Sequence, residues 1–117
     1  MPFARRVFLL AGWYGLLVMV PMWFLGGRQI PPLNHPEYYF GFVGLCVAWQ
    51  VAFLVIARDP VRFRPLMLVA ILEKVAWVLP VYLLTARHQV PGAVTGFATV
   101  DLALAVLFAI AYRKTAA

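Results

Sequence analysis

Two opposite charges stand side by side within an otherwise apolar stretch. Glu73 and Lys74 lie inside RPLMLVAILEKVAWVLPVYLLT, residues 64–85. A segment of ~20 apolar residues is long enough to cross the ~30 Å hydrocarbon core of a bilayer. Charges at that depth are costly, so they usually face the interior of a helix bundle, where they are paired or functional. These two residues are therefore the first candidates for chemistry.

Two further polar residues interrupt other apolar stretches. Counting residues from the helix ends places Gln50 at the level of Glu73, and Asp101 within reach of the Lys74 side chain. Adjacent residues on a helix point about 100° apart, so the two charges should serve different neighbours. We expect the pairs Glu73–Gln50 and Lys74–Asp101. They form either a structural network that fixes helix order or a site with a proton-binding or ligand-binding carboxylate.

Trp77 lies one turn after Glu73, on the same face of the predicted helix. A tryptophan beside a buried carboxylate can form half of a pocket for an amine or a flat lipophile, although simple packing is the alternative. The sequence contains no nucleophile triad, phosphate loop or haem-ligand pair, so we assign no catalytic residue and expect no cofactor. His35, Glu37 and His88 are irregularly spaced loop residues, and we expect no metal site.

The polar residues must be positioned by apolar segments. We predict membrane-spanning helices at about 7–25, 38–57, 66–85 and 93–112, in one transmembrane domain covering residues 1–117. The chain is 65% hydrophobic and 12% charged, which is too apolar for a soluble domain of this size. The predicted fold class is all-α, a polytopic four-helix bundle in up-down-up-down order. The first apolar run is longer than the core of a signal peptide, so we expect it to be retained.

The basic residues flank the apolar segments unevenly. Seven lie at the N-terminus, the second loop and the C-terminus, whereas the first and third loops hold one each. The seven are Arg5, Arg6, Arg58, Arg62, Arg64, Arg113 and Lys114, and the two are Arg28 and Arg87. This asymmetry predicts that both termini are cytoplasmic. The net charge of +6 forms no continuous basic face, so we do not expect a nucleic-acid partner.

Small residues recur at helical spacing in the second and fourth segments. They are Gly41, Gly44, Ala48 and Ala52 in the second, and Ala98, Ala105 and Ala109, with Asp101, in the fourth. Small side chains let helices approach closely in lipid, so we predict that both stripes face neighbouring helices. Phe53, which is outside the first stripe, is expected on a lipid-facing or loosely packed side.

Three stretches, HPEYYFGFVGLCVAWQ, ARDPVRFRPLMLVAILEK and DLALAVLFAIAYRKT, resemble a group of small bacterial four-helix membrane proteins of unassigned function. The resemblance implies a multi-pass protein of the bacterial cytoplasmic (inner) membrane and brings no activity. In architecture the chain is also similar to DoxX-like proteins, sterol-isomerase-type domains and small multidrug transporters. It departs from the transporters, whose membrane glutamate lies in the first helix, and from the sterol isomerases, whose histidine lies deep in the membrane.

Three functions are compatible with this sequence. The first is a non-catalytic membrane module that binds a lipophile or serves as an accessory subunit. The second is a proton-coupled small transporter that acts as a homodimer, with Glu73 as the coupling carboxylate. The third is a membrane enzyme for a quinone- or sterol-like substrate, with Glu73 or Asp101 as acid or base. The expected partners are the lipid bilayer, a lipophilic small molecule and a second copy of the chain.

Overall fold

The computed structural model describes residues 2–26 and 34–115, which form four long helices. They are α1 (Phe3–Leu25), α2 (Pro36–Arg58), α3 (Arg64–Ala86) and α4 (Gly92–Lys114). Each helix has 23 residues, which at 1.5 Å per residue is about 35 Å, more than the ~30 Å hydrocarbon core. All four are long and apolar enough to cross a membrane. The prediction of an all-α protein with four such helices is confirmed.

The helices extend beyond the predicted apolar segments. The start of α1 at Phe3 rather than residue 7 makes Arg5 and Arg6 helical. The start of α2 at Pro36 is favourable because a proline in the first turn loses no helical hydrogen bond. Hydropathy identifies only the part of a helix that is suited to lipid. The backbone hydrogen bonds of the helix continue through the polar turns beyond that part. Most of the predicted first loop, residues 27–33, lies outside the described residues.

An aromatic cluster packs the half of the bundle that holds the start of α1 and the end of α4. Phe8, Phe53 and Phe108 are its largest fully buried side chains. Phe8 stacks on Phe108 with ring centroids 4.3 Å apart, and Phe53 meets Phe108 edge-on at 5.0 Å. The expectation that Phe53 faces lipid or packs loosely is therefore wrong. On α2 the packed face consists mainly of larger side chains, together with Ala57.

The close helix approach lies on α1 instead of α2. In the predicted α2 stripe Gly41 and Ala48 are exposed, whereas Gly44 and Ala52 are half-buried, so the stripe is only partly a packing face. In contrast, Gly12 is buried, and a methyl group there would lie within 2.5 Å of the Leu54 side chain on α2. Close approach through a glycine is the behaviour expected of small residues in membrane bundles. On α4 the prediction fits better, since two alanines of its stripe, Ala98 and Ala105, are buried.

The four helices do not pack evenly around the bundle. α1 packs mainly on α2, and α3 on α4, whereas α2–α3 is the weakest of the four pairs of neighbouring helices. The α3–α4 seam is held by polar contacts along its length, including Arg64 Nε donating to the carbonyl of Tyr112 at 3.1 Å and a 2.9 Å hydrogen bond between the hydroxyls of Tyr82 and Thr99. The weak α2–α3 contact leaves a groove between these two helices.

Candidate functional site

A cavity of about 200 Å³ lies among the four helices, next to the aromatic cluster. Its lining is mainly apolar and includes four aromatic side chains, Tyr14, Phe42, Trp77 and Phe97. Polar groups are concentrated at Gln50, Glu73, Lys74 and Asp101. An apolar cavity of about 150 Å³ in a soluble protein holds benzene, so this one has room for a small aromatic molecule. The five residues singled out from the sequence, Gln50, Glu73, Lys74, Trp77 and Asp101, all line it.

Lys74 is the centre of the polar group. Its side chain is only 4% exposed, and its Nζ lies 3.3 Å from Asp101 Oδ1 and 3.7 Å from Glu73 Oε2. The ammonium also lies 5.2 Å from the centroid of the Phe53 ring, within the range of a cation–π contact. Lys74 therefore pairs with carboxylates on two different helices and also contacts the aromatic cluster.

The structure differs from the expected pairs in one respect. Lys74 and Asp101 form a hydrogen bond, but none joins Glu73 to Gln50 in the described part of the chain. The Gln50 amide group instead donates from Nε2 to the carbonyl of Cys46, one turn earlier, at 2.8 Å. Glu73 and Lys74 do not serve separate neighbours either. The flexible stem of a lysine is long enough to offset the angle between adjacent helical positions, so one ammonium reaches both carboxylates.

Two buried oxygens near this ammonium lack hydrogen-bond partners within the described residues. They are Gln50 Oε1 and Glu73 Oε2. Gln50 is 2% exposed, so its free oxygen cannot rely on bulk solvent. An unsatisfied buried polar group costs about 1–3 kcal/mol, and more when it is charged. Both oxygens are acceptors, and both residues line the cavity, so the site can receive hydrogen bonds from a donor placed inside it.

Phe42 and Trp77 separate the cavity from the groove between α2 and α3. Their ring centroids are 5.2 Å apart. The groove has a volume of about 480 Å³ and shares four lining residues with the cavity, namely Phe42, Cys46, Glu73 and Trp77. Its other lining residues are apolar apart from the indole of Trp49. The cavity and the groove therefore meet at the Phe42–Trp77 pair.

Sequence reasoning assigned no site residue to α1, yet this helix supplies a third of the cavity lining. The residues are Tyr14, Gly15, Val18, Met19 and Met22. They carry no formal charge, so the search for intramembrane charges passed over them. The available signal was the pair of methionines three residues apart. Flexible, polarizable methionine side chains are common at adaptable binding surfaces.

Gly15 provides the space that the Gln50 amide occupies. A methyl group at Gly15 would overlap with Gln50 Oε1 and its neighbouring atoms, whereas one at Gly41 would meet nothing within 4 Å. We predict that Gly15→Ala lowers the free energy of unfolding by about 1–3 kcal/mol, because overpacking displaces the amide. Gly41→Ala is the matched control and should be neutral or stabilising, since alanine favours helix. Denaturation in detergent checks this, and equal stability of the two variants would contradict the packing.

The loop histidines do not assemble a metal site. His35 Nδ1 lies 3.2 Å from Glu37 Oε1, with both side chains largely exposed. Within residues 2–26 and 34–115, no three His, Cys, Asp or Glu side chains form a group that could hold a metal ion. Cys46 is a free cysteine in the cavity wall.

Four helices long and apolar enough to cross a membrane surround the cavity and its cluster of charges, an arrangement compatible with a small multi-pass membrane protein. Comparison of the chain with protein-family models, with curated proteins and with solved structures finds no match. The functional argument therefore rests on the geometry of the site.

Proposed function

We propose that this protein is a non-catalytic membrane module that binds a lipophilic small molecule in the cavity among its four helices. The observation that carries this proposal is a largely apolar cavity of about 200 Å³ with convergent polar groups at one place in its wall. Small-molecule sites usually have this composition, with apolar walls for affinity and few polar groups for orientation.

The packing around the cavity supports a binding role. The neighbouring aromatic cluster is tightly packed, so the open space is local rather than a general looseness of the bundle. An empty cavity forfeits dispersion contacts along its lining, and a bound molecule restores them. The carboxylates of Glu73 and Asp101 are held by one lysine, without the arrangement of nucleophile and base that a covalent reaction requires.

The groove between α2 and α3 supports a route from the lipid phase. It is open along one side of the bundle, and its walls include exposed apolar residues such as Leu45 and Leu72. A lipophile dissolved in the bilayer would enter sideways, past Phe42 and Trp77, without crossing an aqueous phase. This geometry also suits an accessory subunit that receives its ligand from a neighbouring membrane protein.

We further propose an up-down-up-down order with both termini cytoplasmic, in a bacterial inner membrane. Contacts between the start of one helix and the end of another support the order. Examples are Phe8 with Phe53 and Arg64 with Tyr112. The distribution of arginines supports the orientation. In a Cys46→Ala background, an impermeant thiol reagent added to intact cells should label Gln89→Cys and spare Val61→Cys. The reverse pattern would contradict the orientation.

The binding proposal is tested with 4-butylbenzyl alcohol, a neutral lipophile with an aromatic ring. We predict saturable binding to the purified protein, and a loss of affinity of at least tenfold in Val18→Phe. Val18 lines the cavity, and a phenylalanine there would occupy the space that the ring needs. Equilibrium dialysis against detergent micelles measures both affinities, with protein-free micelles as the blank.

Leu17→Phe is the matched control. Leu17 is the preceding residue on α1 and is 79% exposed, so the same side chain there points away from the cavity. This variant should bind the alcohol as the wild type does. Binding that is non-saturable, or reduced equally by both substitutions, would contradict a site inside the bundle. Melting temperatures show whether either variant has lost its fold.

A further inference from the structure

We infer that the cavity selects a lipophilic primary ammonium, with its head group at Gln50 and Glu73 and its apolar tail directed toward the α2–α3 groove. The inference rests on the proposed binding function and adds the chemical class of the ligand. It follows from three observations on the cavity lining, which concern hydrogen bonds, charge and ring placement.

The buried side-chain atoms of the site that lack hydrogen bonds are both acceptors. Gln50 Oε1 and Glu73 Oε2 have no hydrogen-bond partner in the described residues, although Glu73 Oε2 lies 3.7 Å from Lys74 Nζ in an ion pair. Of the donors nearby, Gln50 Nε2 donates to Cys46 and Lys74 Nζ donates to Asp101. A ligand that offers only acceptors, such as a quinone or a ketone, would leave both oxygens unsatisfied. A ligand with several donors on one atom satisfies both.

The charges of the site favour a cation over a neutral donor. Two carboxylates, Glu73 and Asp101, face a single ammonium, Lys74. When all three are ionised the group carries one net negative charge. The Lys74 ammonium is nearer to Asp101 than to Glu73, so the excess charge lies toward Glu73 and the cavity. A buried charge without a counter-ion is unfavourable, and an ammonium at this place would balance it.

The aromatic residues of the lining suit a cation with an apolar body. Trp77, one turn after Glu73, lines the cavity together with Phe42 and Tyr14. The face of a tryptophan is the best cation–π partner among the aromatic side chains. Lys74 already uses the ring of Phe53, so these other rings remain for the ligand. Phe42 and Trp77 line both the cavity and the groove, so an alkyl tail that passes between them would lie in the apolar groove.

Three probes that share a 4-butylbenzyl body and differ in their head groups separate hydrogen bonding from charge. They are 4-butylbenzylamine, 4-butylbenzyl alcohol and 4-butylbenzyl-trimethylammonium. At neutral pH the first is a cation with donors, the second a neutral donor, and the third a cation without a donor on nitrogen. We expect the wild-type protein to bind the amine at least tenfold more tightly than the alcohol, because hydrogen bonds with charged groups are the stronger ones. The trimethylammonium should also bind more weakly than the amine.

Glu73→Gln tests the assigned acceptor. This change keeps the size of the side chain and removes its charge. We expect it to abolish the preference for the amine, so that the ratio of the amine and alcohol affinities falls to about one. The probe ratio in the wild-type protein needs no substitution, so the inference stays testable if the variant does not fold.

The outcomes distinguish this inference from the proposed function. A tenfold amine preference that Glu73→Gln removes supports the inference. Equal binding of amine and alcohol, both lost in Val18→Phe, would overturn the ammonium selectivity and leave the lipophile cavity intact. A preference that persists in Glu73→Gln, or a trimethylammonium that binds as tightly as the amine, would overturn the assigned head-group contacts. No binding of any probe would overturn both the inference and the proposed function.

Discussion

Lys74→Met should lower the free energy of unfolding by about 3–5 kcal/mol, the cost of removing one partner from a buried ion pair. Among the described residues, Lys74 is the only positive charge lining the cavity, and its ammonium lies within 4 Å of both Glu73 and Asp101. Removing it leaves the carboxylates of Glu73 and Asp101, whose side chains are only 15% and 16% exposed, without this counter-ion. Methionine retains the apolar stem, so the loss measures charge rather than packing.

Asp101→Leu should cost less than Lys74→Met. After this change Lys74 still has Glu73 at 3.7 Å, so no charge is fully stranded. The double variant Lys74→Met/Asp101→Leu should regain much of the loss of Lys74→Met, because only one carboxylate remains. Denaturant titrations of the three variants give the coupling energy. If the double variant lost more free energy of unfolding than the two single variants together, the Lys74–Asp101 pair would be contradicted.

Phe53→Ala should lower the free energy of unfolding by about 3–5 kcal/mol, as large-to-small changes in a packed core do. Phe53 is 0% exposed and contacts the rings of both Phe8 and Phe108. Its removal would open a cavity in the aromatic cluster and take away the ring beneath the Lys74 ammonium. The loss should appear as a lower melting temperature in detergent.

Phe24→Ala is the matched control for this cluster. Phe24 lies near the end of α1 and is 75% exposed, so its truncation should cost less than 1 kcal/mol, roughly the range of surface substitutions. Similar losses for the two alanine variants would mean that Phe53 is not part of a tight core.

The fold was predictable because lipid simplifies the relation between sequence and structure. Four apolar segments of sufficient length, separated by prolines, glycines and arginines, lead to four helices, since a helix satisfies its own backbone hydrogen bonds. The exact ends were not predictable from hydropathy. The polar first turn of α1, with Arg5 and Arg6, is helical although it lies outside the apolar segment.

The buried face of each helix was harder to predict. In a soluble helix one apolar face marks the core, but here the lipid-facing side is as apolar as the interior. Half of the predicted α2 stripe, Gly41 and Ala48, therefore proved to be exposed, and Phe53 lies in the core. The charged residues were better guides, because Lys74 and Asp101 are too costly to face lipid.

Partners within the site were only partly predictable. Counting residues along the helices predicted the contact of Lys74 with Asp101, since both residues lie near the middle of their helices. It could not show that Gln50 would bond to its own helix, because an amide has several donors and acceptors and a choice of rotamers. The contribution of α1 was missed because its lining residues are uncharged.

The central claim is that a lipophile occupies the cavity among the four helices. Photolabelling of the wild-type protein with a diazirine derivative of 4-butylbenzyl alcohol, followed by peptide mass spectrometry, locates the bound molecule directly. We predict labels on cavity residues of several helices, such as Met19, Cys46 and Phe97, that excess unlabelled alcohol suppresses. Labels confined to lipid-exposed positions such as Leu10, Leu17 and Leu83, and insensitive to competition, would contradict the claim.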